Sequence, residues 1–80
     1  PHQGQIDLRV GDRVVASVDL PGAPAGTEGK VLLANGFNWK RHRVLFRTGA
    51  EIGDLDHRHI AATGRSAKRL AKAARAAKNA

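Results

Sequence analysis

Residues 26–49 read GTEGKVLLANGFNWKRHRVLFRTG, two apolar runs on either side of Asn35-Gly36. Asn-Gly between β-rich runs is the strongest short hairpin signal, because both central residues of a type I′ turn need positive φ. KVLLA before it and HRVLF after it therefore read as paired strands, closed by Thr48-Gly49. A strand continued back to Phe37 alternates with period two. Phe37, Trp39, Arg41, Arg43, Leu45 and Arg47 then share one face, and Asn38, Lys40, His42, Val44 and Phe46 the other. Val44 and Phe46 are the expected core pair. Two of the chain's three aromatic residues are left outside among cations. A bulge that reverses the register would instead bury one ring.

The flanking sequence extends the pattern. LRVGDRVVASVDL (8–20) alternates around a turn at Gly11-Asp12, with Val14, Ala16 and Val18 on one face. PGAPAGTEG (21–29) is loop chemistry followed by strand onset. AEIG (50–53) reads as a short fourth strand. LDHRHI (55–60) reads as a single turn leading into a last strand at Ile60-Ala61. Five short strands with closely spaced turns predict a mostly β fold, a small five-stranded barrel. Eighty residues make one small domain, divided here into a flexible N-terminus (1–7), a barrel (8–62) and a C-terminal segment (63–80).

That last segment changes composition to RSAKRLAKAARAAKNA (65–80), with six basic residues and no acid. Residues 1–64 hold eight basic residues against all seven acids, so a nearly neutral body carries a cationic tail. Alanine, lysine and arginine favour helix, and the segment is predicted to form a basic α-helix or arm. At 100° per residue Arg65, Lys68, Arg69, Lys72 and Arg75 gather on one side, opposite Ala67, Leu70, Ala71, Ala74 and Ala77. Like charges four apart and cations in the first turn work against the helix, so it is expected to fray when free. Such a block seeks phosphate, acidic lipid or acidic protein. A membrane-surface helix wants bulky apolar residues, and only Leu70 qualifies.

VGDRVVA (10–16), GTEGKV (26–31) and RVLF (43–46), followed by a short strand and LDHRHI, come in the order of SH3-like barrels. GDRVVA…GTEGKV resembles the KOW motif of ribosomal and transcription-elongation proteins. The resemblance covers about residues 8–62 and implies a barrel that binds nucleic acid, with a ribosome or transcription complex as the kind of partner. The loop DLPGAPA (19–25) lacks the lysines usual in that family. The outline also resembles the SH3-like subunits attached to electron-transfer complexes and nitrile hydratase.

Chemistry other than binding has little support in the sequence. Without cysteine there is no disulfide framework and no thiolate metal site, which suits a cytoplasmic protein. No apolar run approaches the length of a membrane span, and no signal-peptide pattern is present. DLDHRH (54–59) gathers Asp54, Asp56, His57 and His59, but closed zinc sites need four ligands. It reads better as a polar turn in which the aspartates pair with Arg58 or neighbouring arginines. No serine sits in a nucleophile elbow. Lys30 is followed by Val31, so the glycines form no P-loop. No enzyme activity, cofactor or metal is expected.

Arginines beside aromatic rings form a stacking platform for unpaired bases. The expected interface is Phe37, Trp39, Lys40, Arg41, Arg43 and Arg47 on the sheet with Lys68, Arg69, Lys72 and Arg75 on the tail. RNA is favoured over DNA, because a sheet with aromatics lacks a groove-reading helix. The alternative is a protein-interaction subunit that docks on an enzyme or larger complex.

Overall fold

The computed structural model describes residues 8–36 and 40–79, with side chains as far as Ala76. The strands are β1 (Arg13–Ala16), β2 (Glu28–Asn35), β3 (Arg41–Phe46), β4 (Glu51–Leu55) and β5 (Ile60–Ala62), followed by helix α1 (Gly64–Asn79). All strand pairs are antiparallel, in the order β4-β3-β2-β1-β5.

That order forces the sheet to curl. β4 and β5 are its two edges, yet only residues 56–59 connect them. Five chain steps reach at most about 18 Å, whereas four strand spacings in a flat sheet need about 19 Å. The connection is also a tight turn, because the Asp56 carbonyl accepts from the backbone N–H groups of His59 and Ile60. The edges therefore bend toward each other, but no β4–β5 ladder closes them. The fold is one open five-stranded sheet with a helix.

The core fills the concave side. Leu8, Val14, Ala16, Ala23, Val31, Val44, Phe46, Leu55 and Ile60 are buried together, with Leu20, Ile52, Ala62 and Leu70 packed against them. Alternation along β3 is complete: His42, Val44 and Phe46 are inside, and Arg41, Arg43 and Leu45 outside. Gly29 makes this packing possible. A Cβ there would lie 2.6 Å from Val44 Cγ1 and 2.9 Å from the Phe46 ring. Only a glycine lets β2 cross over these side chains.

Three local expectations change. Val18, unlike Val14 and Ala16, is 41% exposed, because β1 ends at Ala16 and the chain bends away at Ser17, whose N–H donates to the His59 carbonyl. A core position goes to Ala23, held by paired backbone hydrogen bonds with Leu20 at 2.9 Å. No type I′ turn forms at Asn35-Gly36. Asn35 is the last residue of β2, paired with Arg41, and of the two only Gly36 has positive φ. β2 ends at Asn35 and β3 begins at Arg41. Phe37 and Trp39, between them in the chain, lie outside the described residues. β5 also runs one residue further than expected, to Ala62.

Candidate nucleic-acid interface

Two cationic surfaces emerge, one on the outer face of the sheet and one on the helix. On the sheet, β2 and β3 place Leu33 opposite Arg43 and Asn35 opposite Arg41. A register shift between Val31 and Leu33 creates this arrangement, making Leu32 the extra residue and turning Leu33 outward, 51% exposed. β4 carries a second irregularity. His42 pairs with Leu55 and Val44 with Ile52, so Gly53 and Asp54 together face Arg43. Asp54 takes φ +57°, a left-handed conformation that aspartate and asparagine tolerate better than other side chains. Bulges re-aim side chains in this way.

Between these irregularities lies an open cavity of about 140 Å³, lined by Leu33, Asn35, Arg41, His42, Arg43, Gly53 and Asp54. The Arg43 guanidinium is held by Glu51. A Cβ on Gly53 would come within 2.9 Å of Arg43 Nη1, so glycine leaves the space this side chain occupies. Arg47 pairs with Glu28 at 3.3 Å. Arg41 is exposed and has no hydrogen-bonding or ionic partner among the described residues. Lys40 is half-buried at the start of β3.

Beneath this surface His42 is 1% exposed. Its Nδ1 lies 3.3 Å from the Leu55 carbonyl, which can only accept, so Nδ1 carries the proton. Burial holds its pKa below the ordinary imidazole value, with Lys40 adding to the effect. The Leu55 and Leu8 carbonyls and Asp56 oppose it without prevailing.

The helix behaves differently along its length. Its first turns are tied to the chain before β1. Arg69 donates to both Asp12 oxygens at 2.7 Å, and Ser66 Oγ donates to Asp12 at 3.1 Å. Ser66 Oγ also accepts from the Arg13 N–H at 3.0 Å. Asp12 further accepts from the Arg9 N–H at 2.7 Å. Burial pushes the Asp12 carboxyl up, but the bonds from Arg69, Arg9 and Ser66 outweigh it and hold the pKa below its usual value. Arg69, expected on the free cationic face, is thus committed to the body. Residues 71–76 are exposed throughout. Arg65, Lys68, Lys72 and Arg75 are exposed on the side opposite Ser66 and Leu70, and the first turn contains no acid.

After β4, at 56–59, the polar turn forms around buried Asp56. Its carboxylate accepts from the Arg58 backbone at 2.9 Å and from the Arg58 guanidinium at 2.8–3.2 Å. Asp54, by contrast, pairs with no arginine among the described residues. Among the described residues no three His, Asp or Glu side chains gather as metal ligands, and no helix is long and apolar enough to cross a membrane.

Sequence reasoning assembled Arg41, Arg43 and Arg47 on one face but missed Leu33, Asn35, Gly53 and Asp54 beside them. Gly53 inside a short strand was the available signal, since such glycines mark bulges and close approaches. The chain matches no protein-family model, no curated protein and no solved structure in comparison.

Proposed function

We propose that this chain is a non-enzymatic nucleic-acid-binding module, with RNA favoured over DNA, of SH3-like barrel type and related to the KOW proteins. The observation that carries the reading is the separation of charge on α1. Arg65, Lys68, Lys72 and Arg75 stand exposed on the side turned away from the body, while Arg69 is neutralised by Asp12. A ridge of cations among small side chains can approach a phosphate backbone closely. Arg41 and the cavity beside it offer a second contact region on the sheet. The strand order, with β5 returning beside β1, supports the SH3-like assignment. A ribosome or transcription complex in the cytoplasm is the setting that assignment suggests.

Fluorescence anisotropy with single-stranded RNA across a salt series tests the reading. Four helix cations and Arg41 neutralising about five phosphates give a slope of log K against log salt of about −3 to −4. Binding weaker than millimolar at low salt overturns it. A docking subunit is then the better description, and exposed Leu33 and Leu45 on the outer face favour that second reading.

A further inference from the structure

We infer that the cavity over β3 seats one unpaired guanine of a single-stranded nucleic acid, with the Asp54 carboxylate reading its Watson–Crick edge. This rests on the nucleic-acid function proposed above and adds the identity of the base.

Charges elsewhere on the outer face are paired. Glu28 is matched by Arg47 and Glu51 by Arg43. Asp54 and Arg41 line one cavity, yet neither forms an ion pair with the other or with any other described residue. An unmatched carboxylate and an unmatched guanidinium in one concavity suit a ligand that offers both donors and acceptors. A purely anionic ligand would be repelled by Asp54, and a purely cationic one by Arg41 and Arg43.

Guanine fits that description best among the bases. Its N1–H and N2–H₂ are adjacent donors that one carboxylate accepts together. Uracil places its single N–H between two carbonyl oxygens, which repel a carboxylate. Adenine and cytosine set one amino group beside a ring nitrogen lone pair, which also repels it. Guanine's remaining O6 and N7 acceptors suit a guanidinium or amide, and Arg41 and Asn35 supply these on paired backbone positions.

The walls suit a flat ring as well. Leu33 and Arg43 are cross-strand partners, and unpaired bases stack on arginine planes. Glu51 fixes that guanidinium and Gly53 makes room for it, so the platform exists before the ligand arrives. An enclosed apolar cavity of about 150 Å³ holds a benzene ring, and this open one of about 140 Å³ admits one ring of a base, with the rest of the purine extending out of its open side.

The test uses the whole chain and three labelled nine-nucleotide RNAs: oligouridine, and the same sequence with guanine or inosine at its centre. Guanine should tighten binding about tenfold over oligouridine, as a good bidentate pair does. Inosine lacks the N2 amino group and should lose most of that gain. Asp54→Asn keeps a side chain that tolerates the left-handed backbone. It should reduce the guanine preference to less than about twofold while leaving oligouridine binding unchanged. Equal affinity for all three RNAs overturns the inference but leaves the nucleic-acid function standing. Free guanosine monophosphate competing as well as the guanine-containing RNA would make this a mononucleotide site and overturn the strand assignment. Failure of every RNA to bind removes both.

Discussion

The two cationic surfaces differ in how their charges are held. On β3 and just past its end the arginines interleave with acids: Arg43 is fixed by Glu51, Arg47 meets Glu28, and Asp54 stands beside Arg41 in the cavity. On α1 four cations stand exposed on the side away from the anchor that Arg69 and Ser66 make with Asp12. Interleaved charges nearly cancel at a distance and act through geometry at close range. A one-signed ridge acts at a distance and carries little geometry. On the proposed function the sheet would therefore discriminate between ligands, while the helix would supply attraction.

If the sheet surface depends on its core, damage beneath β3 should give the largest effect. Phe46→Ala is expected to cost about 3–5 kcal/mol in urea unfolding, because the ring is buried against Val44 and Gly29. That cost is comparable to the whole stability of a domain this small, so Val44→Ala, a smaller deletion, serves as the graded control. A loss below about 1 kcal/mol for Phe46→Ala would show that the outer face does not depend on this packing.

The helix surface should separate into an anchor and a ridge. Asp12→Ala removes the acceptor shared by Arg69, Ser66 and the Arg9 N–H, and should cost about 2–3 kcal/mol. Lys72 and Arg75 are exposed and bond to nothing among the described residues, so Lys72→Ala and Arg75→Ala should stay within about 0.5 kcal/mol. Similar costs at all three positions would mean that the helix is uniformly docked, and the contrast along its length would fall.

How much of this was legible in the sequence follows from the range of each interaction. The β3 alternation from Arg41 to Phe46 was readable because period two is local, and the Ala/Lys/Arg segment was readable because propensity is local. The contact between Asp12 and Arg69 spans 57 residues and has no local signature. Arg69 could only be grouped with its helical neighbours. Asn35-Gly36 failed as a turn because Asn35 stayed in register with Arg41, so pairing prevailed over dipeptide preference. The bulge at Gly53-Asp54 leaves a glycine as its trace, but not the direction in which Asp54 is turned.

Binding should divide the surfaces as stability does. Lys68→Ala combined with Lys72→Ala is expected to flatten the log K against log salt slope by about 1.5 units without changing preference among RNAs. Arg41→Ala should flatten it by less than about one unit and reduce discrimination between unpaired and duplex RNA. If Arg41→Ala left discrimination intact, the division of labour between sheet and helix would be wrong.

The smallest effect expected is a pH dependence confined to the sheet. His42 is buried and neutral in the fold, with its pKa held below the ordinary value of 6.5, while in the unfolded chain it titrates normally. As pH falls through about 6.5 the unfolded state takes up a proton that the folded state does not, so stability declines. The loss should begin just below neutrality and level off once pH passes the lowered folded value. Asp12 acts in a separate window: its carboxyl is held below 3.8, so its contribution persists above that value and disappears only in stronger acid. His42→Gln, which retains a donor for the Leu55 carbonyl, should abolish the first decline and leave the second. Hydrogen exchange between pH 7 and 5, corrected for intrinsic rates, should show weaker protection at the β3–β4 pairing around His42 and Leu55 before any change at the Arg69 anchor. Equal loss of protection at both places would mean that the molecule opens as one unit, and the two surfaces would then share a single stability.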